Sequence, residues 1–193
     1  MFNMILVGPP GSGKGTQAER MIHKYRFIPI ALGALLRQQM AENGTNKVLI
    51  EKYINSGQLV PDHLSFELVT QLVQAQPADA SFLFDGFPRT IPQVTFLDHF
   101  LKQCGAQING VIFLDVSNEI LLKRLKNRAT IEKRPDDQDV CKIKTRMQIY
   151  EQETRPILNH YKAQGKLHRI DGTQSVDEVT KAIAAIMDRL IRP

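Results

Sequence analysis

The chain has no tryptophan and only two cysteines in 193 residues. Cys104 and Cys141 stand far apart and match no zinc-ligand spacing, which argues against a zinc knuckle or a disulfide scaffold. They are expected as free thiols in a reducing cytoplasm. Long apolar runs are absent too: none approaches the roughly 20 residues of a membrane span, so no membrane partner is expected. The first residues already read as a strand and a glycine loop, so no signal peptide is expected. Aromatic residues make up 7% of the chain, and no basic run interleaves with them. The net charge of +5 therefore lacks the pattern of a nucleic-acid surface, and polyphosphate is the simpler acidic partner. Repeats, low-complexity tracts and Gly/Ser linkers are also missing, as expected of one domain.

What is present starts at once. Met4-Ile5-Leu6-Val7 has the length and composition of a buried strand. Gly8-Pro-Pro-Gly-Ser-Gly-Lys-Gly-Thr16 follows, and Gln17 to Tyr25 then has helical spacing. Strand, glycine loop and helix in that order are the context a phosphate-binding loop requires. Glycines let successive backbone N–H groups turn toward an anion, and the helix N-terminus adds its dipole. Lys14 is placed to reach the outer phosphates. Gly15 stands where a Ser or Thr usually follows the lysine, and the hydroxyl comes one place later at Thr16. A magnesium ion would then be held by phosphates and water rather than by that direct ligand.

Further strands are predicted at Phe27–Leu32, Ser81–Asp85 and Val111–Val116, with a weaker fifth at Leu167–Asp171. Runs apolar throughout suit a parallel sheet covered on both faces. Alternation with helices predicts an α/β, three-layer P-loop sandwich around a five-stranded parallel sheet, with ligands at the carboxyl ends of the strands. Asp85-Gly86-Phe87-Pro88-Arg89 falls at such an end. Asp85 reads either as an acid ordering water around Mg²⁺ or as a turn or helix-capping residue, and the neighbouring P-loop favours the former. Arg89 carries a planar fork suited to phosphate. From Lys123 to Arg146 the chain is strongly basic. Its lysines read as a solvated face, whereas Arg124, Arg128, Arg134 and Arg146 read as phosphate ligands.

Gly-Pro-Pro-Gly-Ser-Gly-Lys-Gly-Thr-Gln at 8–17 and Asp-Gly-Phe-Pro-Arg-Thr-Ile-Pro-Gln at 85–93 together resemble an adenylate kinase of the short-lid form. The resemblance runs over nearly the whole chain. It implies a core of 1–30, 61–124 and 136–193, a monophosphate-binding excursion at 31–60 and a lid at 125–135. It also implies a monomer that uses ATP and Mg²⁺ and acts on AMP and ADP. Residues Gly11, Ser12, Gly13, Lys14, Gly15 and Thr16 would hold ATP phosphates, with Arg124, Arg128 and Gln174 on the ATP side. Leu32, Arg37, Gln58, Leu59, Val60, Gly86, Phe87, Pro88, Arg89, Gln93, Arg134 and Arg146 would form the AMP side. Lys14, Arg89, Arg124, Arg134 and Arg146 would stabilise the transferring group, and Asp85 would order the magnesium waters.

The departures cluster in one loop. Ala31-Leu32-Gly33-Ala34 stands where the family usually has Ser/Thr-Thr/Ala-Gly-Asp. Leu32 lacks a hydroxyl toward the base, and Ala34 removes an acid from the start of the next helix. The stretch from Asp137 to Arg146 is also one residue longer than usual. A UMP/CMP-type kinase, or a regulatory protein with a degenerate AMP site, therefore remains as an alternative reading.

Overall fold

The computed structural model describes residues 1–42, 46–131 and 139–191. Its centre is a parallel sheet in the order β2-β3-β1-β4-β5. The strands are β1 (Asn3–Val7), β2 (Ile28–Ala31), β3 (Phe82–Asp85), β4 (Ile108–Asp115) and β5 (Leu167–Asp171). The five-stranded α/β expectation holds. Between the strands lie α1 (Lys14–Tyr25), α2 (Leu32–Ala41), α3 (Lys47–Ser56), α4 (Asp62–Gln74) and α5 (Ile91–Gln103). After β4 come α6 (Asn118–Ile131), α7 (Val140–Ile149), a π-turn at Tyr150–Thr154, α8 (Ile157–Ala163) and, after β5, α9 (Val176–Ile191).

Alternate strand residues enter two cores. Ile5, Val7, Ile30, Phe82, Phe84, Val111 and Phe113 face one side, where Val69 of α4, Leu97 of α5 and Tyr161 of α8 meet them. Met4, Leu6, Leu83, Ile112, Leu114 and Ile170 face the other, against Met21 of α1 and Ile183 and Met187 of α9. Burial of both faces explains why the central strands are apolar at every position.

The two edge strands break that rule, and the expectation of uniformly apolar strands fails there. β2 begins at Ile28 rather than Phe27 and contains Pro29, which an edge strand tolerates because one row of N–H groups is unpaired. β5 carries a half-buried His168 and an exposed Arg169, since an edge has one open flank. Arg169 pairs with Asp115 of the neighbouring strand. β4 starts three residues earlier than expected, at Ile108, and the β1–β4 register shifts between Asn3 and Met4. Asn3 sits at that shift, fully buried. Its Oδ1 accepts from the Phe82 N–H at 3.1 Å, its Nδ2 donates to the Gln107 carbonyl at 3.1 Å, and its own N–H donates to Asn109 Oδ1 at 2.8 Å. One carboxamide thus joins three segments at the amino end of the sheet.

At the opposite end the register sets the loops. Leu6 lies level with Asp85 and Ile112, and Ala31 is level with Asp85. Gly8, Leu32 and Gly86 therefore leave the sheet side by side. Among the described residues no helix is long and apolar enough to cross a membrane.

Candidate active site

The loop after β1 turns through two glycines with positive φ, Gly11 at 83° and Gly13 at 93°. A Cβ on Gly11 would stand 2.9 Å from Leu125 Cγ, so neither the angle nor the space admits another residue. α1 opens at Lys14, three residues before the expected Gln17, because Gly13 in the left-handed region serves as its N-cap without a side-chain bond. The first-turn N–H groups are thereby left to a ligand, as at other anion-binding helix ends.

Lys14 folds back over this loop. Its Nζ donates to the Gly8 carbonyl at 2.6 Å and the Pro9 carbonyl at 3.0 Å. The residue keeps an opening to the cleft, yet protein atoms crowd the ammonium, and that burial lowers its pKa to about 8. Asp85 opposes the shift, while Arg89, Arg146 and Arg128 reinforce it. An anion that joins this lysine favours its charged form and raises that pKa again.

Asp85 closes β3, half-buried and in register with Leu6. Its capping alternative does not hold: α5 begins at Ile91, and its cap is Thr90, whose hydroxyl accepts from the Gln93 N–H at 3.3 Å. Gly86 follows with φ +77°, and the Arg89 side chain folds over it, Nε donating to the Gly86 carbonyl at 2.8 Å. A Cβ there would meet the guanidinium at 2.9 Å. Burial lowers the Arg89 pKa and Asp85 raises it.

These groups border a cleft of about 760 Å³. Gly11, Ser12, Gly13, Lys14, Gly15, Thr16, Arg124, Arg128 and Gln174 all line it, with Asp85, Gly86 and Pro88. A side pocket of about 100 Å³ opens beside it, walled by Leu32, Leu36, Ile54, Gln58, Leu59, Val60, Ser65 and Gln93. Arg37, Arg89 and Arg146 border both spaces. The longer approach to Arg146 has not carried it away from the site.

Two expected residues stand apart. Phe87 borders neither space; its ring is 1% exposed, packed edge-on against Phe96 with centroids 6.4 Å apart. The motif is continuous in sequence, but its aromatic member turns to the core while its neighbours turn to the cleft. Arg134, with 132–135 of the expected lid, lies outside the described residues. Leu32 is the first residue of α2 and is buried, and Ala31 caps that helix without a side-chain bond, as the missing acid at 34 implied.

Around Gln93, which the motif included, stand residues that no motif singled out. Gln93 is 2% exposed and fixed at both ends: its Oε1 accepts from the Arg89 N–H at 2.7 Å, and its Nε2 donates to Asp62 Oδ1 at 2.7 Å. The amide keeps one more N–H and one more lone pair. Ser65, three residues beyond Asp62 on α4, is fully buried. A serine in the helical stripe with Val69 and Val73 was the available signal. Ile149, Tyr150 and Thr154 reach the cleft from the π-turn, a feature common at functional sites. The buried Tyr150 hydroxyl has no hydrogen-bond partner among the described residues, and burial pushes its pKa up.

The model of the adenylate kinase family matches residues 6–166. The chain belongs to the adenylate kinase family. Among curated adenylate kinases, that of Flavobacterium johnsoniae is 36% identical over 190 residues, 98% of this chain and all of that protein. That of Azobacteroides pseudotrichonymphae is 38% identical over 192 residues, covering both chains fully. That of Micrococcus luteus is 39% identical over 184 residues, 95% of this chain and 89% of its own. As an adenylate kinase family member the chain is a phosphotransferase, and the P-loop cleft is where that chemistry belongs.

Proposed function

We propose that the protein transfers the γ-phosphoryl group of ATP to AMP, Mg·ATP + AMP ⇌ 2 ADP. The observation that carries this reading is the wall of Arg37, Arg89 and Arg146 common to the cleft and the side pocket. Two anions bound from opposite sides of that wall would be brought together. ATP takes the P-loop side, its phosphates on the α1 N-terminus and Lys14, with Arg124, Arg128 and Gln174 alongside. AMP takes the side pocket, its phosphate at the shared arginines and its base near Leu59, Val60 and Gln93.

An oxygen of the AMP phosphate attacks the γ-phosphorus as the bond to the β–γ bridging oxygen breaks, leaving ADP on each side. The acceptor is already anionic, so no general base is needed. Positioning, exclusion of water and cationic charge on the moving group supply the acceleration. The Lys14 ammonium and the Arg89 and Arg146 guanidinium groups are the charges aimed there.

The residues fit magnesium in a limited way. Among the described residues no three His, Cys, Asp or Glu side chains form a metal cluster. Asp85 is the strand-end carboxylate at the phosphate side of the cleft, and Thr16 offers a hydroxyl beside Gly15. One carboxylate with phosphates and water is a donor set Mg²⁺ accepts. Bound with the nucleotide, the ion supplies neutralisation of phosphate charge. The reading includes a cytoplasmic monomer acting on free nucleotides, with 31–60 as the acceptor-binding excursion.

The test is ADP formation from Mg·ATP with AMP, CMP, UMP or GMP in parallel, against a no-acceptor control. Turnover with AMP above the others is the expected result. Preference for CMP or UMP would reassign the acceptor, and no transfer from a folded, ATP-binding protein would overturn the reading.

A further inference from the structure

The wall of the side pocket includes a polar atom left unpaired among the described residues. Ser65 is 0% exposed, and its Oγ has no hydrogen-bond partner among them. A hydroxyl withdrawn from water without a partner destabilises the fold, so such groups call for an explanation. Here the residue borders a space: Ser65 is part of the pocket wall, with Leu32, Leu36, Ile54 and Val60. The other uncharged polar side chain built into the buried wall is Gln93, and it is held by Asp62, one turn before Ser65 on α4. The pocket wall is thus apolar with a hydroxyl and a carboxamide, and its border with the cleft carries Arg37, Arg89 and Arg146. A flat heterocycle with a polar edge, joined to an anionic group, matches that distribution.

We propose that the Ser65 hydroxyl reads the base of the acceptor nucleoside monophosphate, bonding a polar atom of its six-membered ring. This rests on the acceptor reading above. A hydroxyl donates and accepts, so it serves either a ring nitrogen or an exocyclic amine. Leu32, in the same pocket wall, offers no such group. The hydroxyl at position 65 therefore supplies from α4 what the start of α2 lacks. In the ligand-free protein it is an unsatisfied group, and the bound base satisfies it.

The experiment compares the full-length wild type with Ser65→Ala, alanine being a strong helix former at an interior α4 position. Steady-state rates with AMP are measured alongside inhibition by benzimidazole riboside 5′-monophosphate, whose six-membered ring is all carbon. Ser65→Ala should raise KM for AMP about fivefold, the worth of one neutral hydrogen bond, with the change in KM rather than kcat. The KM for ATP should not move. Inhibition by the benzimidazole nucleotide should be equal in the two proteins, because it has no atom for the hydroxyl to bond. The ligand-free Tm should not fall, since the substitution removes an unsatisfied group. An unchanged KM for AMP would overturn the proposal. So would an equal weakening of both nucleotides together with a lower Tm, which would make Ser65 a packing residue. Wild-type protein that transfers to no monophosphate would instead overturn the acceptor reading itself.

Discussion

The phosphate cradle and the side pocket solve recognition in opposite ways. The cradle is one continuous stretch, Gly8 to Gln17, that offers a phosphate its backbone N–H groups and one lysine. The side pocket is assembled from five separated segments, at 32–37, 54–60, 65, 89–93 and 146. A phosphate is the same in every nucleotide, so a fixed local turn suffices for it. A base must be told from other bases, which takes side chains converging from several elements. Charge and backbone geometry dominate one region, shape and a few hydrogen bonds the other.

The largest effect should come from the cradle. Lys14→Met should lower kcat on the order of a hundredfold or more, with KM for AMP within a few-fold of wild type, because the lost charge acts on the moving phosphoryl group. Steady-state kinetics in both substrates checks this, and a kcat near wild type would erase the contrast between the regions.

Next is the hinge between them. Gly86→Ala forces a side chain onto φ +77° and pushes its Cβ into the Arg89 guanidinium at 2.9 Å. A strain of about 1 kcal/mol is expected from the backbone alone. Displacing Arg89 should lower kcat/KM for AMP about tenfold or more, with a lower Tm measured by calorimetry.

The pH dependence separates the regions further. With its pKa lowered to about 8, Lys14 loses its charge as the free enzyme is taken above that pH. The kcat/KM for ATP should therefore fall as pH rises through about 8, whereas kcat should hold to higher pH because bound polyphosphate favours the charged form. The stability effect has the opposite sign. Between about 8 and the ordinary 10.5 the unfolded chain binds more protons at this group than the folded one, so its contribution grows more favourable as pH rises. Both features should vanish in Lys14→Met, as rate profiles and chemical denaturation across that range would reveal.

The smallest effect tests the pocket. Leu32→Thr adds a hydroxyl to the pocket wall and should lower KM for AMP by less than tenfold. It also removes buried methyl groups from a residue 4% exposed, so Tm should drop in the same protein. A raised KM would mean that the Leu32 side chain itself supports the base.

The same contrast decides what could be read from the sequence. Gly8 to Thr16 and Asp85 to Arg89 were legible because turn chemistry and strand ends are local. The central strands were legible from unbroken apolar runs. The edges were less so: Pro29, His168 and Arg169 obey the demands of an open flank, which no local pattern announces. Phe87 was misplaced because a motif read as a unit hides which way each member points. Asp62 was missed because its partner Gln93 is distant in sequence, and Ser65 because the pocket wall it joins is built from distant segments. A polar residue in the apolar stripe of α4 was the faint trace they left.

The buried amide of Asn3 has a meaning beyond the closed end of the sheet. It fixes the relative height of β1, β3 and β4 there. Strands are stiff rods at about 3.3 Å per residue, so an offset set at one end is delivered unchanged at the other. The level at which Gly8 departs, relative to Asp85 and Gly86, is thus gauged from a datum some four residues below. A slip of one residue at that datum would lift the cradle away from its carboxylate and turn each core side chain to the wrong face. The reference mark for the chemistry lies where no substrate ever comes.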